Sequence, residues 1–270
     1  MTRRLIQLPA GPPRPVTRAF TLMELLVVLA IIGILAAIAL PSINGMRKSS
    51  VMTSATQQLV ADIATARHTA IRQRTTVHMI FVPPDINMMG YNTSDPRDSN
   101  TWVNLQTHPY TAYAFFAERT VGDQPGQPHP RYLGPWHTLP DGVIIALDEF
   151  MPTGGAVWDN AVPENRPFQT NTFPFPTVNG PLQLAPHISF DAKGALIVQD
   201  SGRVRVYQDE VIYLARASVL VQRDPANRQV LEFDVRENPP GNGRFTNDNY
   251  NRIRIDGLTG RTKVERPELQ

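Results

Sequence analysis

Residues able to do acid, base or ligand chemistry are present in this 270-residue chain, but their spacing does not assemble them. The six histidines, His68, His78, His108, His129, His137 and His187, fall outside H-E-x-x-H and outside any paired metal spacing. The adjacent acids Asp148-Glu149 and Asp209-Glu210 would point in different directions on a strand, which suits solvated positions rather than a general acid–base pair. "TNDNYN" (246–251) offers oxygens of the kind calcium takes, yet reads as a polar turn. G-x-S-x-G, Walker A and Rossmann patterns are absent from the sequence. With no cysteine, thiolate nucleophiles and Cys-based zinc sites are excluded, and the redox compartment stays open. The expectation is a protein without catalytic residues, metal or cofactor.

One acid is notable for its surroundings. Glu24 is the only ionisable side chain in the apolar run from Phe20 to Leu40. As a helix that run extends about 31 Å at roughly 1.5 Å per residue, close to a bilayer core of about 30 Å. Arg3, Arg4, Arg14 and Arg18 precede it with no acid among them, so the positive-inside rule puts residues 1–19 in the cytoplasm and the remainder outside. Removing those four from the 26 Lys+Arg leaves 22 against 24 Asp+Glu, a formal charge of −2. The basic character therefore belongs to the leader. Thr21-Leu22-Met23-Glu24 fits the capping box S/T-x-x-E, a local reason for an acid in a first turn. A cap of about 1 kcal/mol does not clearly offset the roughly 2.5–3.5 kcal/mol of a charge at mid-bilayer; a cationic partner would. A secretory signal peptide is the competing reading, with Ala37-Ile38-Ala39 as its cleavage site.

"AFTLMELLVVLAIIGILAAIALP" (19–41) resembles the N-terminus of type IV pilin-like proteins, including the pseudopilins of type II secretion. The resemblance implies that a prepilin peptidase cuts between Ala19 and Phe20 and that Phe20 is then N-methylated. It also implies that Glu24, the fifth mature residue, pairs with the terminal amine of a neighbouring subunit. Pro41 matches a proline that the family keeps after the first half of the helix. The residue before the cut, usually Gly, is Ala19 here, and the leader with "PAGPPRP" is longer and richer in proline than is usual. The implied partners are the peptidase, other pilin or pseudopilin subunits, a secretion assembly platform and membrane lipid. The implied location is the inner membrane, single-pass, N-terminus cytoplasmic and C-terminal domain periplasmic, then a periplasmic filament.

Later stretches extend the likeness to the GspH/FimT subfamily of minor pseudopilins: "LVADIATARHTAIRQRTTVHMIF" (59–81), "LPDGVII" (139–145), "ISFDAKG" (188–194) and "IRIDGLTGRTKV" (253–264). Some FimT-type pilins take part in DNA uptake through a Gly-Arg-x-Arg motif. Gly202-Arg203-Val204-Arg205 fits it, and Gly260-Arg261-Thr262-Lys263 nearly does. Cations two apart on a strand share a face and can meet phosphates. Glu265 and Glu268 beside the second copy, and the near-neutral mature chain, argue for ordinary exposed strand positions, so nucleic acid is not an expected partner.

The elements that carry these residues follow from periodicity. Leader 1–19 and the apolar half-helix 20–41 are followed by a pattern over 42–74 that predicts an amphipathic second half. There Leu59, Ile63, Ala66 and Ala70 form one stripe, with Gln57, Asp62 and Arg67 off it. Pro41 lacks an N–H and, with Asn44-Gly45, predicts a kink but not an end. Arg67, Arg72 and Arg74 near the helix end suit its dipole. From Thr75 the period changes to two, and strands are expected at 77–82, 110–118, 142–147, 187–191, 195–199, 203–221, 229–235 and 252–265. Residues 85–109 and 148–186 read as loop insertions, the second pinned by Trp158, Phe168, Phe173 and Phe175. The fold class is α+β and pilin-like: one long N-terminal helix whose amphipathic half packs on antiparallel sheet within a β-rich head, 75–270.

Overall fold

The computed structural model describes residues 21–84, 86, 96–120, 122–124, 127, 129–150, 167–200, 204–225, 230–237 and 250–265, with the backbone alone at 36–49, 198–200, 204–206, 231–232 and 237. The chain divides into two compact units, Met1–Arg47 and Lys48–Gln270. Helix α1, Leu22–Gln73, contributes to both. Its helical assignment runs through Pro41 and Asn44-Gly45 without a break.

Over its described side chains in the first unit, 22–35, α1 is apolar on every side apart from Glu24. Leu22, Met23, Leu25, Leu26, Leu29, Ile31, Ile34 and Leu35 are all exposed. A helix without a polar face has no buried side of its own and belongs against lipid or other protein rather than water.

In the second unit α1 is amphipathic. Met52, Ala55, Leu59, Ile63, Ala66 and Ala70 recur three and four apart and are all buried. The stripe expected from the sequence is thus present, about two turns longer at its start. Arg74 closes the helix in the left-handed region (φ 51°). There Thr75 N donates to Ala70 O at 3.2 Å and Arg74 N to Ile71 O at 3.3 Å, a Schellman end in which glycine is the usual residue.

Two antiparallel sheets share the core with this stripe. The first is built from β1 (Val77–Phe81), β2 (Ala112–Ala117), β3 (Arg131–Tyr132) and β4 (His137–Thr138). It continues with β6 (Gln169–Pro174), β7 (Leu182–Phe190), β8 (Leu196–Asp200) and β9 (Val204–Val206). Its order is β3-β2-β1-β7-β8-β9, with β4 on β2 and β6 on β7. The second comprises β5 (Val143–Ile145), β10 (Glu210–Arg223), β11 (Val230–Glu237), β12 (Asn251–Ile255) and β13 (Thr262–Glu265), in the order β11-β10-β12-β13 with β5 on β10. Met79, Phe81, Tyr113, Phe115, Ile188 and Phe190 from the first sheet meet Ile145, Ile212, Leu214, Ile253 and Ile255 from the second in one cluster with the helix stripe. The expected α+β arrangement, a helix on antiparallel sheet, is what the head shows.

Three departures from the sequence reading have physical causes. A second helix, α2 (Pro96–Leu105), lies inside the stretch expected to be loop. Pro96 opens it where a missing N–H costs nothing, and its weak propensity is overridden by burial of Asp98, Trp102 and Leu105. The long strand expected at 203–221 is two, because β9 belongs to one sheet and β10 to the other. Finally, β6 and the first half of β7 occupy the expected 148–186 insertion. Phe168 stacks on Phe81 with centroids 4.3 Å apart, and Phe173 and Phe175 are buried, so these aromatics hold the segment to its own domain. Trp158 lies outside the described residues.

Two glycine turns fasten the sheets to the helix end. Gly194 (φ 80°) lies on Arg67 and Ile71, where an added Cβ would approach Ile71 Cδ1 to 2.7 Å. Gly260 (φ 62°) leaves no room for a Cβ beside the Gly194 carbonyl oxygen. Arg67 Nε donates to Thr259 O at 2.7 Å, and Leu196 N to Gly257 O at 2.9 Å, so helix and both sheets meet at this point. Gly260→Ala is expected to cost about 2 kcal/mol or more through left-handed strain and backbone collision. Urea unfolding of the full chain in detergent, followed by circular dichroism, measures it; an unchanged midpoint would contradict this packing.

Candidate functional site

The N-terminal acid sits in a closed local arrangement. Thr21 N and Thr21 Oγ1 each donate to Glu24 Oε2 at 2.9 Å, and Glu24 N donates to Thr21 Oγ1 at 3.2 Å. This is a complete capping box, two orphan N–H groups of the helix start satisfied reciprocally. The sequence spacing T-L-M-E suffices to build it. Ala19 and Phe20, the expected cleavage pair, lie outside the described residues. Beyond the box the side chains through Leu35 are apolar and exposed, apart from the small Gly33. Among the described residues no helix is long and apolar enough to cross a membrane; the apolar run of the sequence continues to Leu40, past the last described stem side chain.

The described basic residues singled out in the sequence belong to two different sheets. Arg203 lies outside the described residues, and Arg205 is described by its backbone on β9, opposite Gln199 of β8. Arg261 and Lys263 belong to the other sheet: Arg261 is exposed just after Gly260, and Lys263 follows on β13. Lys263 Nζ lies 3.4 Å from Glu265 Oε1, which also meets Arg254 Nε at 3.4 Å. Arg254 Nη1 in turn lies 3.8 Å from Asp209 Oδ2. The positive charge along β13 is thereby countered locally.

Titratable groups that the sequence gave no reason to pair do meet in the head. On the flank of α1, Tyr113 Oη donates to Asp62 Oδ2 at 2.6 Å, and His137 Nδ1 lies 3.0 Å from the same oxygen. Gln58 Nε2 donates to Tyr113 Oη at 3.1 Å and to Thr138 O at 2.9 Å. Burial first, then the hydrogen bond to Asp62 and its charge, raise the Tyr113 hydroxyl above its ordinary range. This network ties helix to sheet.

On the opposite face of the first sheet His78 and His187 lie with ring centroids 5.6 Å apart, both buried. His78 Nδ1 is 2.7 Å from Ser189 Oγ and His78 Nε2 3.3 Å from Glu118 Oε1. Phe173 stands edge-on to both rings at 5.1 Å. Among the described residues no group of three or more His, Asp or Glu is placed to hold a metal ion. The β1–β7 register, with His78 opposite Ser189 and Ile80 opposite His187, sets the pair diagonally across two strands. Only a correct strand pairing could have revealed it.

Residues 14–40 match the family model for the prokaryotic N-terminal methylation motif. No curated protein and no solved structure matches the chain. The motif covers the expected cleavage pair and Glu24, and it indicates a type IV pilin-like, membrane-anchored precursor of the kind that prepilin peptidase processes and that assembles with other pilin-like subunits.

Burial, ahead of the neighbouring His78, pulls the His187 imidazole from 6.5 down to about 4. The unfolded chain therefore takes up this proton before the folded one does. Stability from neutral His187 is complete above about pH 6.5 and is lost as pH falls toward 4. Thermal midpoints measured between these limits should fall more steeply for the native chain than for His187→Gln; parallel curves would contradict the assignment.

Proposed function

We propose that this chain is a structural subunit, a minor pseudopilin of a type II secretion system or a closely related pilus-like filament. The observation that carries the reading is a single acid at the fifth position after the expected cut, capped within its own helix start and followed by uninterrupted apolar surface. In this reading residues 1–19 are a leader removed between Ala19 and Phe20. Phe20 becomes the methylated terminus, residues 20–41 form the membrane-spanning half-helix with a kink at Pro41, and 42–74 carry the head, 75–270. The helix remains in the inner membrane until an assembly platform draws the subunit into a periplasmic filament. Cleavage turns the amide of Phe20 into an amine, a cation absent from the precursor. Glu24 can exchange its Thr21 hydrogen bonds for the amine of an adjacent subunit, an ion pair that gains strength where water is excluded. Such a pair can form only between subunits whose stems lie in register, so the acid selects assembled over unassembled chains.

The subfamily assignment is supported by where the resembling stretches fall. "ISFDAKG" supplies the Gly194 turn and "IRIDGLTGRTKV" the Gly260 turn, the two that dock on α1. The segment "LPDGVII" leads into β5 beside β10. A helix that continues past Ala37–Ala39 and Pro41 favours pilin processing over signal-peptide cleavage. DNA uptake is the second reading, favoured by the exposed Arg261 and opposed by the Lys263–Glu265 pair. A gel shift with duplex DNA at physiological salt separates it: the filament reading expects no retained complex, whereas binding lost in Arg261→Ala would favour uptake.

Glu24→Gln should leave membrane insertion and leader removal intact while lowering recovery of the subunit in sheared filament fractions about tenfold, in line with loss of a charge-assisted contact of roughly 1–2 kcal/mol. Wild-type levels in those fractions would contradict the proposed role.

A further inference from the structure

The C-terminal end of α1 gathers more positive charge than its helix dipole accounts for. Arg72 and Arg74 are exposed on its last turn and cap, positions a dipole would favour. Lys193 and Arg261 are not part of the helix. Each is next in sequence to a glycine that packs on Arg67, Lys193 before Gly194 and Arg261 after Gly260, and both are exposed. Arg67 uses Nε on Thr259 O. None of these five forms an ion pair with an acid among the described residues. The acids of the two turns are engaged within them: Asp191 Oδ1 accepts from Lys193 N and Ala195 N, and Asp256 Oδ1 accepts from Thr259 N and Oγ1.

Two further observations define what fits there. Apolar side chains are exposed on the same elements: Ile71, against Gly194, is 38% exposed, and Leu258, in the β12–β13 turn next to the Thr259 that Arg67 binds, is 73% exposed. Arg74 projects its side chain from a left-handed position (φ 51°) in which glycine is the usual residue. A phosphate backbone would call for cations continuing in a track, and the track is interrupted at Lys263 by Glu265. Carboxylates interspersed with apolar residues match both halves of the patch, since guanidinium groups pair with carboxylates and Leu258 and Ile71 need apolar cover.

We propose that this patch, Arg67, Arg72, Arg74, Lys193 and Arg261 around Ile71 and Leu258, is a docking site for an acidic, leucine-bearing segment of a partner protein. It goes beyond the stem-mediated assembly above and uses none of the stem residues.

The test uses the full-length chain in neutral detergent and three fluorescent probes read by anisotropy at physiological salt. These are a synthetic peptide alternating Glu and Leu, the same peptide with Gln for Glu, and a duplex DNA oligonucleotide. The Glu–Leu peptide should bind, the Gln–Leu peptide should not, and DNA should bind more weakly than the acidic peptide. Combining Arg72→Gln, Arg74→Gly and Arg261→Gln should weaken the peptide about tenfold, as expected for three exposed charge contacts. Leu258→Ser should weaken it without any change of charge, and circular dichroism confirms that each variant is folded. Absence of peptide binding, equal affinity in the triple variant, or insensitivity to Leu258→Ser would overturn the proposal. Tighter binding of DNA than peptide would overturn it in favour of a nucleic-acid partner.

Discussion

Everything in the head depends on one stripe of one helix. Met52, Ala55, Leu59, Ile63, Ala66 and Ala70 present a narrow apolar face, and each sheet turns one face toward it. Alanine at three of the six positions lets β-strands approach closely, while Leu59 and Ile63 fill the centre. With no cysteine to cross-link the chain, this shared core carries the cohesion of the unit. Its polar flanks set the helix's rotation: Asp62 and Gln58 reach Tyr113 and Thr138 on one side, and Arg67 reaches Thr259 on another. The same helix begins under the opposite rule, apolar on every side with one capped acid. The described side chains of α1 thus follow two rules, apolar and exposed over 25–35 and amphipathic from Met52 onward.

The parts legible in the sequence are those governed by local periodicity. The spacing of Leu59, Ile63, Ala66 and Ala70 identified the buried stripe, and the switch to alternation at Thr75 located β1. T-L-M-E announced the capping box that Thr21 and Glu24 form. What escaped was set by partners distant in the chain. Strand β1 alternates in type, yet both of its faces are buried, because Phe116 and Phe173 cover His78 on the outer side. The short β3 and β4 exist only as additions to β2, and nothing in Arg131-Tyr132 or His137-Thr138 signals a strand on its own.

The described parts of the two stretches that read as separate insertions pack against each other. Asp98 Oδ1 of α2 accepts from Thr177 Oγ1 at 2.7 Å, and Trp102 meets Phe175 edge-on at 5.9 Å. Trp136 stands against Phe175 at 5.1 Å and donates from Nε1 to Pro176 O at 2.9 Å, while Tyr132 Oη donates to Pro174 O at 2.8 Å. Polar composition hid this because the contacts use a few aromatic and polar side chains spread over eighty residues of sequence. Propensity scales weigh neighbours, and here the neighbours are remote.

In the proposed reading, Glu24 in an apolar stem acquires its counter-charge only when removal of the leader turns the Phe20 amide into an amine. Mass spectrometry of the N-terminal peptide of the protein purified from its cells tests this most directly. The account predicts a chain that starts at methylated Phe20. A chain that retains residues 1–19, or one that starts near Leu40, would contradict it.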